Sequence, residues 1–385
     1  MSENSIVHLG IIGMGSMGSD HAAKVEQGLV PGLRLAAVAD QDSKRLEKWS
    51  DARHFNDGSA MIQSGEVDAV LIATPHYSHT TLGIEALEAG LHVLVEKPIS
   101  VHKADCQRLI DAWTNPKQVF AAMFNQRTNP AHVKLREMIQ NGELGEIQRM
   151  QWTVTTWFRT EHYYRTGDWR ATWSGEGGGV LLNQCPHNLD LLQWLFGMPK
   201  KVYANCQFGR FHDIEVEDAV TAMLEFESGA TGVFITTTGE APGSNRLEVA
   251  ADRGKILIEN DKLHFTRTEI PVSEFSRTSE IGFARPPVWE IDIPVAESGE
   301  QHLGILKNFA NAILNGEPLL APASEGIHSV ELANAMLYSA FESRAVELPI
   351  DAAAYQAALK AKVENSTYVK PETVTSEVAD LSGSF

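Results

Sequence analysis

Gly13-Met14-Gly15-Ser16-Met17-Gly18 constrains this chain more than any other stretch. It follows a short β-branched run, Ile6–Ile12, and opens a segment of helical period, Met17–Glu26. Three glycines in a strand–turn–helix setting are the fingerprint of dinucleotide binding. Gly13 permits the tight turn, Gly15 lets the main chain approach a pyrophosphate, and Gly18 lets the helix lie against the strand. The phosphates would face the positive end of the helix dipole. Asp40 closes the next strand-like run, about 20 residues past Gly18, where an acid holds an adenosine ribose diol. Its charge, with Asp42 nearby, repels a 2′-phosphate, so NAD is the expected cofactor. Lys44 and Arg45 keep NADP open as the lesser alternative.

The pattern continues. Strand-like runs at Leu33–Asp40, Asp68–Thr74, His92–Glu96 and Val119–Phe124 alternate with helical periods at Asp42–Ala52, Thr81–Ala89 and Lys103–Trp113. Alternation of this kind predicts parallel strands joined by crossover helices, a doubly wound α/β sheet of Rossmann type. Asn129–Gln140 reads as one more helix. After Gly145 the texture changes: Ile147–Phe158 alternates, and Val180–Phe196 reads as a helix behind Gly177-Gly178-Gly179. Runs at Lys201–Phe211, Ala219–Phe226, Thr231–Thr238, Arg246–Ala251 and Lys255–Glu259 then follow, two of the links being turns at Glu227-Ser228-Gly229 and Asp252-Arg253-Gly254. Consecutive hairpins predict a mostly antiparallel sheet in a second, α+β domain. Two helices, Gln301–Asn315 and Ser324–Arg344, come next. The expected division is 1–127 for nucleotide binding, 128–366 for substrate and assembly, and 367–385 as a polar tail or arm.

Composition narrows the partners. The 385 residues carry 32 Lys plus Arg against 50 Asp plus Glu, a net charge of −18, which would repel nucleic acid and an anionic membrane surface alike. No apolar run approaches the roughly 18 residues that would span a bilayer. Cys106, Cys185 and Cys206 are too few and too scattered for a disulfide framework. With a polar N-terminus that does not read as a signal peptide, these features predict a soluble cytoplasmic protein with a small-molecule partner.

Ala73-Thr74-Pro75-His76-Tyr77-Ser78-His79 and Glu96-Lys97-Pro98 each follow a predicted parallel strand. The carboxyl ends of such strands rim the ligand crevice of an open α/β sheet. Lys97 is then either a cation aimed into the cleft or a solvated surface lysine; spacing alone leaves both open.

Taken together, G-x-G-x-x-G, A-T-P-x-x-x-H and E-K-P resemble the glucose–fructose oxidoreductase / inositol dehydrogenase / rhizopine-catabolism (Gfo/Idh/MocA) family. The resemblance continues through Phe124-Asn125-Gln126-Arg127, Gly142–Ile147, Gly177–Asp190 and Val346–Pro349, nearly the whole chain apart from its C-terminal end. It implies a Rossmann domain followed by an open-faced sheet domain, assembly as homodimers or homotetramers through that sheet, and carbohydrate or cyclitol substrates. It also implies that Lys97 is the catalytic lysine, touching both the nicotinamide ribose and the reacting hydroxyl, with His187 and Asn183 as its partners. The expected cofactor contacts are Gly13, Met14, Gly15, Ser16, Met17, Asp40, Ala73, Thr74, Pro75, His79, Glu96, Lys97, Asn125 and Arg170. The family carries Asp where this chain has Asn183. An amide cannot take a proton, so His187 must be the base while Asn183 orients hydroxyls; four apart on one helix, the two would share a face.

Between Trp157 and Trp173 the chain crowds Trp157, Arg159, His162, Tyr163, Tyr164, Arg165, Trp169, Arg170 and Trp173. Aromatic faces stack on sugar rings and guanidinium forks bind oxygen-rich or anionic groups, so this stretch is the expected pocket wall, with Tyr163, Trp169 and Arg170 joining Lys97, Asn183 and His187 around the substrate. His212, Asp213, Glu215, Glu217 and Asp218 read as a solvated edge, and no metal is expected. The leading expectation is an NAD-dependent dehydrogenase acting on a secondary ring hydroxyl. Two rivals are redox-assisted glycoside cleavage, by oxidation, elimination and re-reduction, and a non-catalytic dinucleotide sensor.

Overall fold

A computed structural model describes residues 6–296 and 299–374. Six strands, β1 (Val7–Ile12), β2 (Leu33–Ala39), β3 (Arg53–Phe55), β4 (Ala69–Ile72), β5 (His92–Val95) and β6 (Phe120–Ala122), form a parallel sheet in the order β3-β2-β1-β4-β5-β6. Four helices, α1 (Ser16–Glu26), α2 (Gly58–Ile62), α3 (His76–Glu88) and α4 (Lys103–Asp111), connect them. The order reverses between β1 and β4, which opens a crevice at their carboxyl ends. This is the expected Rossmann architecture.

The stretch Asp42–Ala52 is not the helix its composition suggests. The Asp42 carboxylate accepts from Lys44 N, and Arg45, Leu46, Trp49 and Ala52 each donate a main-chain hydrogen bond three residues back. Linked tight turns result, and Leu46, Trp49 and Ala52, spaced by three, all enter the core.

The second sheet has nine strands. They are β7 (Ile147–Val154), β8 (Lys201–Phe208), β9 (Glu217–Glu225), β10 (Thr231–Thr237), β11 (Asn245–Ala251), β12 (Gly254–Glu259), β13 (Lys262–Thr268), β14 (Val288–Ile293) and β15 (Val346–Glu347). Their order is β14-β13-β12-β11-β7-β10-β9-β8-β15, antiparallel throughout except for β7 beside β10. Helices α5 (Pro130–Gln140), α6 (Glu161–Arg165), α7 (Pro186–Phe196), α8 (Val272–Thr278), α9 (Gln301–Asn315), α10 (Gly326–Glu342) and α11 (Ala352–Glu364) complete the fold. Strand burial alternates, with Trp152, Phe234, Leu247 and Ile256 inward and Tyr203 and Met223 outward. One sheet face is therefore packed and the other open.

The chain returns to its first sheet late. Ile305, Leu306 and Phe309 of α9 are buried in the apolar core of β1–β6, together with Ala321, Ala323 and Val330. Arg127 pins the two halves: Nε and Nη2 donate to the Asp190 carboxylate over 2.8 and 2.6 Å, and Nη1 donates to Glu325 over 2.6 Å. All three cysteines are buried and free. No helix among the described residues is long and apolar enough to cross a membrane.

Candidate active site at the junction of the two sheets

The glycine turn has the predicted form. Gly13 sits at φ +92°, and a Cβ there would fall 2.7 Å from the Ala73 carbonyl oxygen. At Gly18 it would lie 1.9 Å from the Gly13 carbonyl oxygen, so α1 packs directly on the turn. Gly15 precedes α1 without a side-chain cap, and Ser16 and Met17 begin the helix, leaving its first N–H groups aimed at the crevice. Asp40 Oδ2 accepts from Met14 N over 2.7 Å, and the Arg45 guanidinium lies 3.5 Å from the same oxygen. The acid thus braces the turn and stands beside Arg45, a cation that could receive a 2′-phosphate.

Across the crevice, Ala73, Thr74 and Pro75 lead from β4 into α3. Thr74 Oγ1 and Asn125 Oδ1 are buried without a hydrogen-bond partner. Leaving such atoms unpaired costs roughly 1–3 kcal/mol each, so they mark where a polar ligand would bind. With the uncapped helix and the glycine cradle, these residues fit a dinucleotide. His79 differs: its ring nitrogens lie 2.8 and 2.7 Å from the carbonyls of Pro98 and Thr74, tying the two crevice loops together.

The reactive cluster gathers at the end of β5. Glu96 accepts from His21 over 2.7 Å. Burial pushes its carboxyl up, but the His21 hydrogen bond and the neighbouring His21, His302 and Lys97 charges hold it at about 2. Lys97 Nζ donates to the Asn183 main-chain carbonyl over 2.7 Å. Burial lowers the ammonium's pKa and Glu96 pulls it back up.

His187 is buried beside the edge of Phe124, and neither ring nitrogen has a partner. Burial first, then the Lys97 charge, drives its pKa well below the usual histidine range. The imidazole is neutral at pH 7, with a lone pair available.

Asn183 and His187 do not share a helical face. Val180–Cys185 form turns and α7 starts only at Pro186; Val180 N donates to the Glu217 carbonyl, 2.9 Å away. A Cβ on Gly179 would lie 2.0 Å from that same oxygen. Asn183 is held from three sides: its carbonyl by Lys97, its Oδ1 by the Tyr163 hydroxyl at 3.2 Å, and its Nδ2 by the Glu176 carboxylate.

The aromatic–basic stretch divides. Trp157, Arg159, Tyr163, Arg170 and Trp169 form a ladder of alternating rings and guanidinium groups, with cation-to-centroid distances of 5.8, 5.2, 4.5 and 4.4 Å. Arg170 and Gln184 both donate to the Tyr163 hydroxyl. Tyr164 and Trp173 instead enter the core, His162 is exposed, and Arg165 donates to the Glu372 carbonyl, so these four leave the expected wall. Lys370, from the segment read as a polar tail or arm, donates to the carbonyls of Gly167 and Arg170 and fastens the ladder's loop. The expected solvated edge is also corrected. Glu217 and Asp218 are fully buried; Asp218 accepts from the main-chain N–H groups of Arg210, Phe211 and His212, and Glu217 accepts from Leu181.

Fold and cradle define an NAD-binding Rossmann oxidoreductase. The family description "Oxidoreductase family, NAD-binding Rossmann fold" matches residues 7–124, and the GFO/IDH/MocA C-terminal domain matches 132–257. The chain belongs to the Gfo/Idh/MocA family. It is 25% identical to a myo-inositol 2-dehydrogenase of Thermotoga maritima, over 89% of this chain and 98% of that protein. It is 25% identical to a levoglucosan dehydrogenase of Pseudarthrobacter phenanthrenivorans, at the same coverage. The WlbA dehydrogenase of Bordetella pertussis, solved with NADH and UDP-GlcNAcA, superposes with a TM-score of 0.75 at 26% identity, over 90% of this chain and all of that one.

Proposed function

We propose that this enzyme oxidises a secondary ring hydroxyl of a sugar, glycoside or cyclitol, with NAD as the hydride acceptor. The observation that carries the reading is the pair of unpartnered nitrogens on buried His187, beside the Lys97 ammonium. A neutral imidazole in that position takes the hydroxyl proton. Lys97 spends one of its three protons on Asn183 and keeps two, one for a ribose hydroxyl and one to stabilise the alkoxide as the proton leaves. NAD, when bound, accepts the carbinol hydride. The Trp157–Trp169 ladder offers ring faces and guanidinium donors to a polyhydroxylated ring.

The substrate class rests on the relatives, which are dehydrogenases of inositol and levoglucosan, and on this wall. The open face of the nine-stranded sheet, with Tyr203 and Met223 outward, supports assembly as a dimer or tetramer through that face.

The test is NADH formation from NAD across inositols, hexoses, simple glycosides and sugar acids, with chromatography of every mixture. NADH appearing with one class supports the dehydrogenase. Glycoside loss at constant NADH would replace it with the elimination route. Silence throughout would sink both.

A further inference from the structure

Asn183 meets Lys97 and Tyr163 but cannot carry charge. The carboxylate bonded to it is Glu176, in the turn just before the glycine run. Glu176 is 2% exposed; Oε1 accepts from Asn183 Nδ2, and Oε2 accepts from Ala171 N over 2.8 Å. Both oxygens are therefore occupied, and the residue is fixed where a surface turn glutamate would be free. A buried carboxylate costs folding energy unless it is hydrogen-bonded and faces positive charge. Burial raises this carboxyl's pKa, while Arg170, the hydrogen bonds from Asn183 and Ala171, and Lys370 oppose that rise; Lys97 lies within its field.

We propose that Glu176 is a positioning residue of the active site, supplying the negative charge that Asn183 lacks, and that the two act as one exchangeable carboxylate–amide pair. The assignment rests on the catalytic reading of Lys97 given above. Its hydrogen bond turns the Asn183 amide so that Oδ1 meets the Tyr163 hydroxyl, while the main chain of the same residue holds Lys97. Its charge opposes the groups that would strip the proton from Lys97. Those are Arg170 and Arg159 on the ladder loop, added to burial; Glu96 on the β5 side acts with Glu176. His76 of α3 and His187 of α7 also face the lysine, each held neutral by burial. His79 of α3 faces it with its ring nitrogens on the Pro98 and Thr74 carbonyls, its pKa lowered by burial and raised in part by those contacts and Glu96. The further neighbour of Glu176 is Glu217, whose proximity works against a second negative charge.

The experiment titrates Lys97 directly by competitive acetylation with acetic anhydride, read by peptide mass spectrometry between pH 6 and 11. It uses the full-length chain without substrate. Glu176→Gln should move the Lys97 midpoint down, by less than the roughly one pH unit that follows loss of an opposite charge in direct contact, because burial, Glu96 and the two arginines act on the lysine more strongly. The exchanged double variant, Glu176→Gln with Asn183→Asp, restores one carboxylate and one amide and should return the midpoint toward wild type. An unmoved midpoint in Glu176→Gln overturns the proposal. So does a double variant no closer to wild type than the single one. Should Glu176→Gln fail to fold, the double variant decides alone: a folded protein with a wild-type midpoint supports the pair, and failure to fold overturns it. Labelling needs no turnover, so an enzyme silent across the substrate panel would sink the dehydrogenase reading and leave the Glu176 result legible.

Discussion

Lys97 Nζ and the main-chain carbonyl of Asn183 lie 2.7 Å apart, joining the end of β5 to the turn before α7. The bond holds the ammonium still while leaving two protons free. Lys97→Ala should therefore lower kcat on the order of 100-fold or more. NAD affinity should fall much less, since the glycine turn and α1 are untouched. Steady-state rates combined with a cofactor titration separate the two; a wild-type kcat would remove Lys97 from the chemistry.

The depressed His187 sets the acid side of the pH profile. Because burial and the Lys97 charge favour the neutral ring, kcat/KM should hold steady as pH falls through the ordinary histidine range near 6.5. The limb belonging to His187 appears only well below it. His187→Ala should cost roughly 100- to 10,000-fold in kcat. A limb centred near 6.5 in wild type would show that the ring is solvated in the working enzyme.

Cofactor choice hangs on Asp40 and Arg45, 3.5 Å apart. Asp40→Asn keeps an acceptor for Met14 N and removes one of the two charges that repel a 2′-phosphate, leaving Arg45 to Asp42, which lies 3.6 Å from its Nε. The ratio of kcat/KM for NADP over NAD should rise at least about tenfold, equivalent to roughly 1.4 kcal/mol. An unchanged ratio would show that Asp40 serves the turn alone.

Glu217 makes stability depend on pH. Burial raises its carboxyl to about 7 from 4.5, so ionisation opposes folding. The favourable contribution is complete below pH 4.5 and is lost as pH rises through 7, a difference on the order of 3 kcal/mol. Glu217→Gln removes that slope. Thermal unfolding should show the variant gaining on wild type between pH 5 and pH 8, and parallel curves would mean that Glu217 is already paired.

Much of this architecture is legible in the sequence. The runs feeding β1, β4 and β5 are nearly continuous apolar stretches because those strands are buried on both faces, and Gly13 and Gly18 announce the turn between β1 and α1 because a side chain at either would strike the main chain. What escaped was set by distant contacts. Linked tight turns and a regular helix share an apolar spacing over Leu46, Trp49 and Ala52, so spacing alone does not separate them. The apolar run from Val180 looks helical to its first residue, but its first six residues form turns that hydrogen-bond to Glu217, far along the chain. Glu176 carries no local signal: between two glycines it resembles any exposed turn glutamate until the fold brings Asn183 over it.

The late return of α9 to the first sheet bears on how the molecule is made. Ile305, Leu306 and Phe309 fill the core beneath β1–β6, yet they leave the ribosome long after those strands. Domains ordinarily mature in N-to-C order during synthesis. Here the nucleotide-binding half emerges with part of its apolar surface uncovered, and it waits for most of the second sheet to be translated before it can close. A nascent chain stalled between the two would be a client for chaperones rather than a finished cofactor domain.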